Sequence, residues 1–169
     1  MQSTESLFLV DGNISRRAAI SHHLAGIGIH AEPFEDAAEL TTRWPQAGII
    51  LVHDGGDAIA RLDEHRTKAG PWLPIIGFSE APTTRNIVRA IHAGASDYVG
   101  WPPEDGRLQS SLVEARVATE RLGPARTREI RARNRIDGLS RREREVLACV
   151  ARGLSNRLIG EQLSISPRT

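Results

Sequence analysis

The chain has 169 residues, 40% hydrophobic and 25% charged, with a formal net charge of +1. That length suits one domain of average size plus a smaller second unit. No apolar run approaches the ~20 residues of a membrane span, and the polar start Met1–Ser6 lacks a basic-then-apolar leader pattern, so a cytoplasmic protein with no membrane partner is expected. The single Cys149 excludes an internal disulfide; its place on a helical apolar stripe predicts a buried thiol.

Charge divides the chain. Residues 1–111 carry 9 Lys/Arg and 14 Asp/Glu, whereas residues 112–169 carry 13 Arg and 7 Asp/Glu. An acidic front and a basic back suggest two jobs, the second with a polyanion such as nucleic acid.

The front alternates short apolar strands with amphipathic helices. Leu7–Val10 is a continuous apolar run, as expected of a buried strand. Asn13–Leu24 has helical spacing, Ile29–Phe34 is a weaker strand, and Asp36–Arg43 reads as a short helix. Gly48–Val52 is the strongest strand, followed by a helix over Ala58–Lys68 that Gly70-Pro71 breaks. Pro74–Phe78 is a fourth strand, Thr83–Ala93 a helix ended by Gly94, and Ser96–Val99 a fifth strand, with Pro102-Pro103 opening the next helix. Five such units predict a parallel sheet with helices on both faces. Ligands of such sheets bind beyond the carboxyl ends of the strands, which here carry Asp11-Gly12, Asp54, Ser79 and Trp101.

Leu108–Arg135 is helical and charge-rich, with Gly123-Pro124 expected to interrupt it as a kink or hinge. Arg126, Arg128, Arg131, Arg133 and Arg135 form either a solvated face or a set of phosphate contacts. From Leu139 onward the signals are sharper. Ser140 and Glu143 have capping-box spacing, Val146, Leu147 and Val150 form an apolar stripe, and Gly153 ends the helix. Ser155-Asn156 starts a second helix with Ile159 and Leu163 one turn apart. Ser166-Pro167 is an N-cap followed by proline at the first position of a third. This is helix-turn-helix wording.

Residues 7–120 resemble the receiver domain of bacterial two-component response regulators. The resemblance implies a flavodoxin-like, doubly wound, five-stranded parallel sheet of order 2-1-3-4-5. It makes Asp54, after Ile-Ile-Leu-Val-His, the phospho-acceptor, Ser79 the hydroxyl that bonds the phosphoryl group, and Tyr98 an aromatic that swings inward on activation. Mg2+ is the implied cofactor, with Asp11, Asp54 and the Gly56 carbonyl as its ligands. Two departures stand out. Gly12 replaces the second acid, which normally touches the metal, and Trp101 replaces the lysine before the strand-5 proline; Trp101-Pro102 is expected to be cis, as the family's bond often is. Weakened or phosphorylation-independent switching follows.

Residues 139–169 resemble the LuxR-type module of NarL/FixJ regulators. The expected domains are a receiver-like domain over 1–120, a helical linker over 121–137, and over 138–169 a partial all-α helix-turn-helix unit that lacks its recognition helix. Arg157 and Arg168 are the candidate DNA-phosphate contacts. The implied function is a DNA-binding response regulator, not an enzyme. Its partners would be promoter DNA, a sensor kinase or another signalling protein, and a second copy bound through the receiver face or linker helix. The alternative is a regulator that binds no DNA and acts by docking its receiver-like domain on another protein.

Overall fold

The computed structural model describes residues 6–165. They form two compact units, one reaching to Ile130 and one beginning at Arg131.

The first unit alternates strands and helices: β1 Leu7–Val10, α1 Ile14–Gly26, β2 Ala31–Phe34, α2 Ala37–Thr42, β3 Ile49–His53, α3 Ala58–Ala69, β4 Ile75–Ser79, α4 Thr84–His92 and β5 Asp97–Gly100. The sheet is fully parallel, as the alternating pattern predicts, in the order β2-β1-β3-β4-β5 that the receiver resemblance implies. Because successive strand residues point to opposite faces, each strand feeds two cores. Phe8, Val10, Ile50, Val52, Ile75 and Tyr98 lie in one cluster with α2, α3 and α4 residues such as Leu40, Leu62 and Ala90. Leu7, Leu9, Ile49, Leu51, Ile76 and Phe78 lie in the other with Ile20 and Leu24 of α1 and Leu108. Each fully buried Leu or Ile contributes about 1.5–3 kcal/mol, so the doubly buried central strands carry much of the stability.

One expectation about the helix after β5 is corrected. It does not open at Pro102-Pro103; α5 spans Arg107–Asp137. The prolines fall in a loop that includes Gly106 at φ 76°, a left-handed turn that suits glycine. Gly123-Pro124 does not end the helix, since Pro124 lies inside it. One proline removes one amide donor, and the turns on either side retain theirs. The Trp101-Pro102 bond is cis, as expected.

The second unit holds α6, Arg141–Ala151, and α7, Asn156–Leu163. Both expected caps form: Ser140 and Glu143 make a reciprocal capping box and the Ser155 hydroxyl accepts from the Leu158 amide. Cys149 is buried as predicted. The predicted stripe is not: Leu147 is 40% and Val150 53% exposed. In this unit α6 packs on α7, and one short helix covers only part of an apolar face. Ser166, Pro167 and Arg168 lie outside the described residues. No helix among the described residues is long and apolar enough to cross a membrane.

Candidate functional site

The carboxyl end of β1 delivers Asp11, whose amide bonds to the Phe34 carbonyl of the neighbouring strand at 3.1 Å. The chain then turns into α1, with Asn13 capping it by accepting from the Arg16 amide. That turn brings Arg16 back over Asp11. Its Nε donates to Asp11 Oδ2 at 2.7 Å and its Nη2 to Oδ1 at 2.8 Å, a two-pronged pairing with a carboxylate that is 0% exposed. The Asn13 amide adds a third bond at 2.9 Å. The third nitrogen of Arg16 reaches Glu80, just after β4, at 2.8 Å. Burial pushes the Asp11 carboxyl up, but the hydrogen bonds from Arg16 and Asn13 outweigh it and hold it below the usual carboxylate range. The same bond raises the Arg16 guanidinium, which stays charged at any accessible pH.

Asp54 follows β3, its amide bonded to the Phe78 carbonyl at 2.8 Å. Its side chain is 4% exposed, and both carboxylate oxygens are engaged. Arg89 of α4 donates Nη2 to them at 3.1 and 3.2 Å, and the Tyr98 hydroxyl donates to Oδ2 at 3.1 Å. Tyr98 is inward and only 6% exposed. Its room comes from Gly77, its partner across β4 and β5. A Cβ at Gly77 would lie 2.9 Å from the Tyr98 ring. Burial pushes the phenol above its ordinary range, the nearby Ser79 hydroxyl pulls the other way, and Asp54 adds to the rise. Ser79 Oγ is buried and makes no hydrogen bond of good geometry, so it retains an unused donor beside Tyr98.

A cleft of about 340 Å³ opens at this end of the sheet, lined by Asp11, Asn13, Arg16, Glu35, His53 and Asp57 among others, but not by Asp54 or Gly56. Burial, then Arg16, lowers the His53 pKa. Trp101 packs edge-on against His23 of α1 and Phe78 of β4, in the core cluster of α1. The structure thus bonds Tyr98 to Asp54 and pairs Asp11 with Arg16. Reasoning from sequence missed Arg16, Arg89 and Gly77. The available signals were an arginine one helical turn and a half after Asp11, an arginine on α4, and a glycine inside a strand, which marks a close approach.

The residues do not fit Mg2+. That ion wants hard oxygen ligands in near-octahedral array. Arg16 holds both Asp11 oxygens, Arg89 and Tyr98 hold those of Asp54, and Gly12 supplies none from a side chain.

In the second unit Arg157 lies on the outer face of α7, 79% exposed and 3.3 Å from Glu161. Arg142 bonds to the Leu163 carbonyl, tying α6 to the end of α7. Residues 137–169 match the luxR family of bacterial regulatory proteins. The transcriptional regulatory protein FixJ of Bradyrhizobium diazoefficiens is 30% identical over 179 positions, covering 100% of this chain and 84% of that one. The chain belongs to the NarL/FixJ-type response regulators. A second such relative is the C4-dicarboxylate transport transcriptional regulatory protein DctR of Rhodobacter capsulatus, 30% identical over 97% of this chain and 86% of its own length. The crystal structure of full-length FixJ from B. japonicum is 27% identical, with a TM-score of 0.58, covering 98% of this chain and 83% of FixJ. This NarL/FixJ-type regulator is therefore a DNA-binding transcriptional response regulator, not an enzyme.

Proposed function

We propose that this regulator controls transcription with weakened dependence, or none, on phosphorylation of Asp54. The observation that carries it is the state of that carboxylate: both oxygens are already bound, by Arg89 and Tyr98. Hydrogen bonds draw electron density away from a carboxylate and hold it in place, so attack on a phosphorus atom must work against Arg89 and Tyr98. The residues that would stabilise the transferring group are also short of charge, with Gly12 for the second acid and Trp101 for the lysine. Each missing group of this kind costs about 3 kcal/mol of transition-state stabilisation, so each slows transfer by about two orders of magnitude. Ser79 Oγ, buried and unused, is the group that still suits a phosphoryl oxygen.

In this reading residues 1–120 are the receiver domain, 121–137 the linker and 138–169 the DNA-binding part. The receiver answers to a sensor kinase or another signalling protein, and two copies pair through the receiver face or the linker helix. The pair binds promoter DNA in the cytoplasm, with Arg157 and Arg168 on phosphates. The deciding experiment is to incubate the protein with acetyl phosphate and Mg2+ and record intact mass. The wild type is expected to gain no phosphoryl group at a time when a typical receiver is fully modified. Prompt, near-complete gain, absent in Asp54→Ala, would overturn the proposal.

A further inference from the structure

Receiver sites balance their acidic pair with a divalent ion. Here each acid is matched by a guanidinium from the chain itself: Asp11 by Arg16 and Asp54 by Arg89. We infer that Arg16 is the resident cation of this site, holding Asp11 in a two-pronged pair, bridging it to Glu80 and keeping divalent metal out.

Three observations carry this. First, the Arg16 fork engages both Asp11 oxygens at 2.7 and 2.8 Å and the Asn13 amide takes a third position at 2.9 Å, so three of the carboxylate's roughly four acceptor positions are filled from within the chain. A planar guanidinium matches a carboxylate in this way, and a metal must break two charge-assisted bonds to replace it. Second, the pair sits at the floor of the cleft with its charged groups largely shielded. Asp11 is 0% and Arg16 16% exposed at the side chain, so solvent screens it little. A divalent ion arriving beside Asp11 would meet a fixed positive charge at short range. Third, the remaining nitrogen of Arg16 meets Glu80, immediately after β4, at 2.8 Å; Glu80 is exposed, so this bond adds direction to the fork more than strength. The bridge therefore joins the end of β1 to the start of the segment that leads into α4.

The absence of an acid at position 12 is not a matter of space. A Cβ on Gly12 would lie 3.7 Å from the Glu35 carbonyl oxygen, an ordinary contact. The backbone there accepts a Cβ, which makes Gly12→Asp a usable control: it supplies an acid and leaves Arg16 in place.

The inference rests on the receiver-type reading of the site, but its test needs no phosphodonor, so its outcome is separate from whether Asp54 accepts a phosphoryl group. Mn2+ alone is titrated into the full chain, and free ion is followed by its electron paramagnetic resonance signal. The wild type and Gly12→Asp are expected to leave the free signal unchanged at millimolar Mn2+. Arg16→Gln, which keeps length and removes charge, is expected to gain saturable uptake that a further Asp11→Asn change abolishes. Saturable uptake by the wild type, lost in Asp11→Asn, overturns the inference. So does uptake by Gly12→Asp with Arg16 intact, which would make the missing acid the sole cause. An Arg16→Gln protein with wild-type near-ultraviolet circular dichroism and no uptake overturns it as well. Should Arg16→Gln fail to fold, the wild-type and Gly12→Asp arms still decide.

Discussion

Asp11 shows how one buried charge is tolerated and what it does to stability. An unpaired carboxylate enclosed as Asp11 is would cost several kcal/mol. Arg16 and the Asn13 amide offset that cost and depress the carboxyl below its unfolded value. A depressed acid adds stability that is fully present above the unfolded pKa, about 3.9 for Asp, and is lost as pH falls through the folded value. In urea titrations followed by circular dichroism, the wild type is therefore expected to lose stability as pH falls below about 4. Asp11→Asn should be less stable at neutral pH by about 3 kcal/mol, since it leaves Arg16 with only the exposed Glu80 as a charged partner, and should show a flatter acid limb. Equal slopes in the two proteins would show that Asp11 is not the group responsible. Sequence pattern located Asp11 and Asp54 at the strand ends but could not show what bonds them. Arg16 and Arg89 reach the acids through the turn into α1 and the packing of α4, and those geometries exist only after folding.

Elements were legible where local signals and packing agree. The five strands and the α1, α4, α6 and α7 starts follow from apolar runs and from caps at Asn13, Thr83, Ser140 and Ser155. Boundaries moved by a residue or three because backbone pairing, not hydropathy, ends a strand: β5 runs Asp97–Gly100 because Ser79 pairs with Gly100. The apolar stripe of Leu147 and Val150 misled, since both side chains stay exposed, and the helix runs on through Gly123-Pro124. Capping is testable at this scale. The Ser140 hydroxyl accepts from the Glu143 amide at 3.3 Å, and the Glu143 carboxylate accepts from the Ser140 amide at 2.8 Å. Loss of such a cap costs about 1 kcal/mol, a large share of the stability of so small a unit. Ser140→Ala should speed amide hydrogen exchange in the first turn of α6 by about fivefold while leaving β3 and β4 protected as before. Unchanged exchange at Glu143 and Arg144 would remove the capping box from the account.

At the scale of the whole molecule, the uneven charge is the property that DNA would sense. Residues 112–169 carry 13 arginines against 7 acids, and residues 1–111 carry 14 acids against 9 bases. A duplex is a dense line of phosphates, and each neutralised phosphate releases counterions, so affinity falls steeply with salt, with a log–log slope of about −0.9 per phosphate contact. The back of the chain is the part able to supply those contacts, and the acidic front adds repulsion that salt would relieve. On a duplex selected by the full-length protein from a random pool, affinity should fall as salt rises and exceed that for a scrambled duplex by about 10³-fold. Arg157 is exposed on α7, and its nearest acid, Glu161 at 3.3 Å, is an exposed partner on the same helix. Such a pair contributes little on its own, so exchanging it for a phosphate is inexpensive. Arg157→Ala should weaken binding to both duplexes alike and reduce the salt slope by about one unit. Preference for the selected sequence should survive, because a phosphate contact positions the protein and does not read bases. A slope unchanged by Arg157→Ala would take that residue out of the interface, and a lost preference with an intact slope would make it a reader of bases instead.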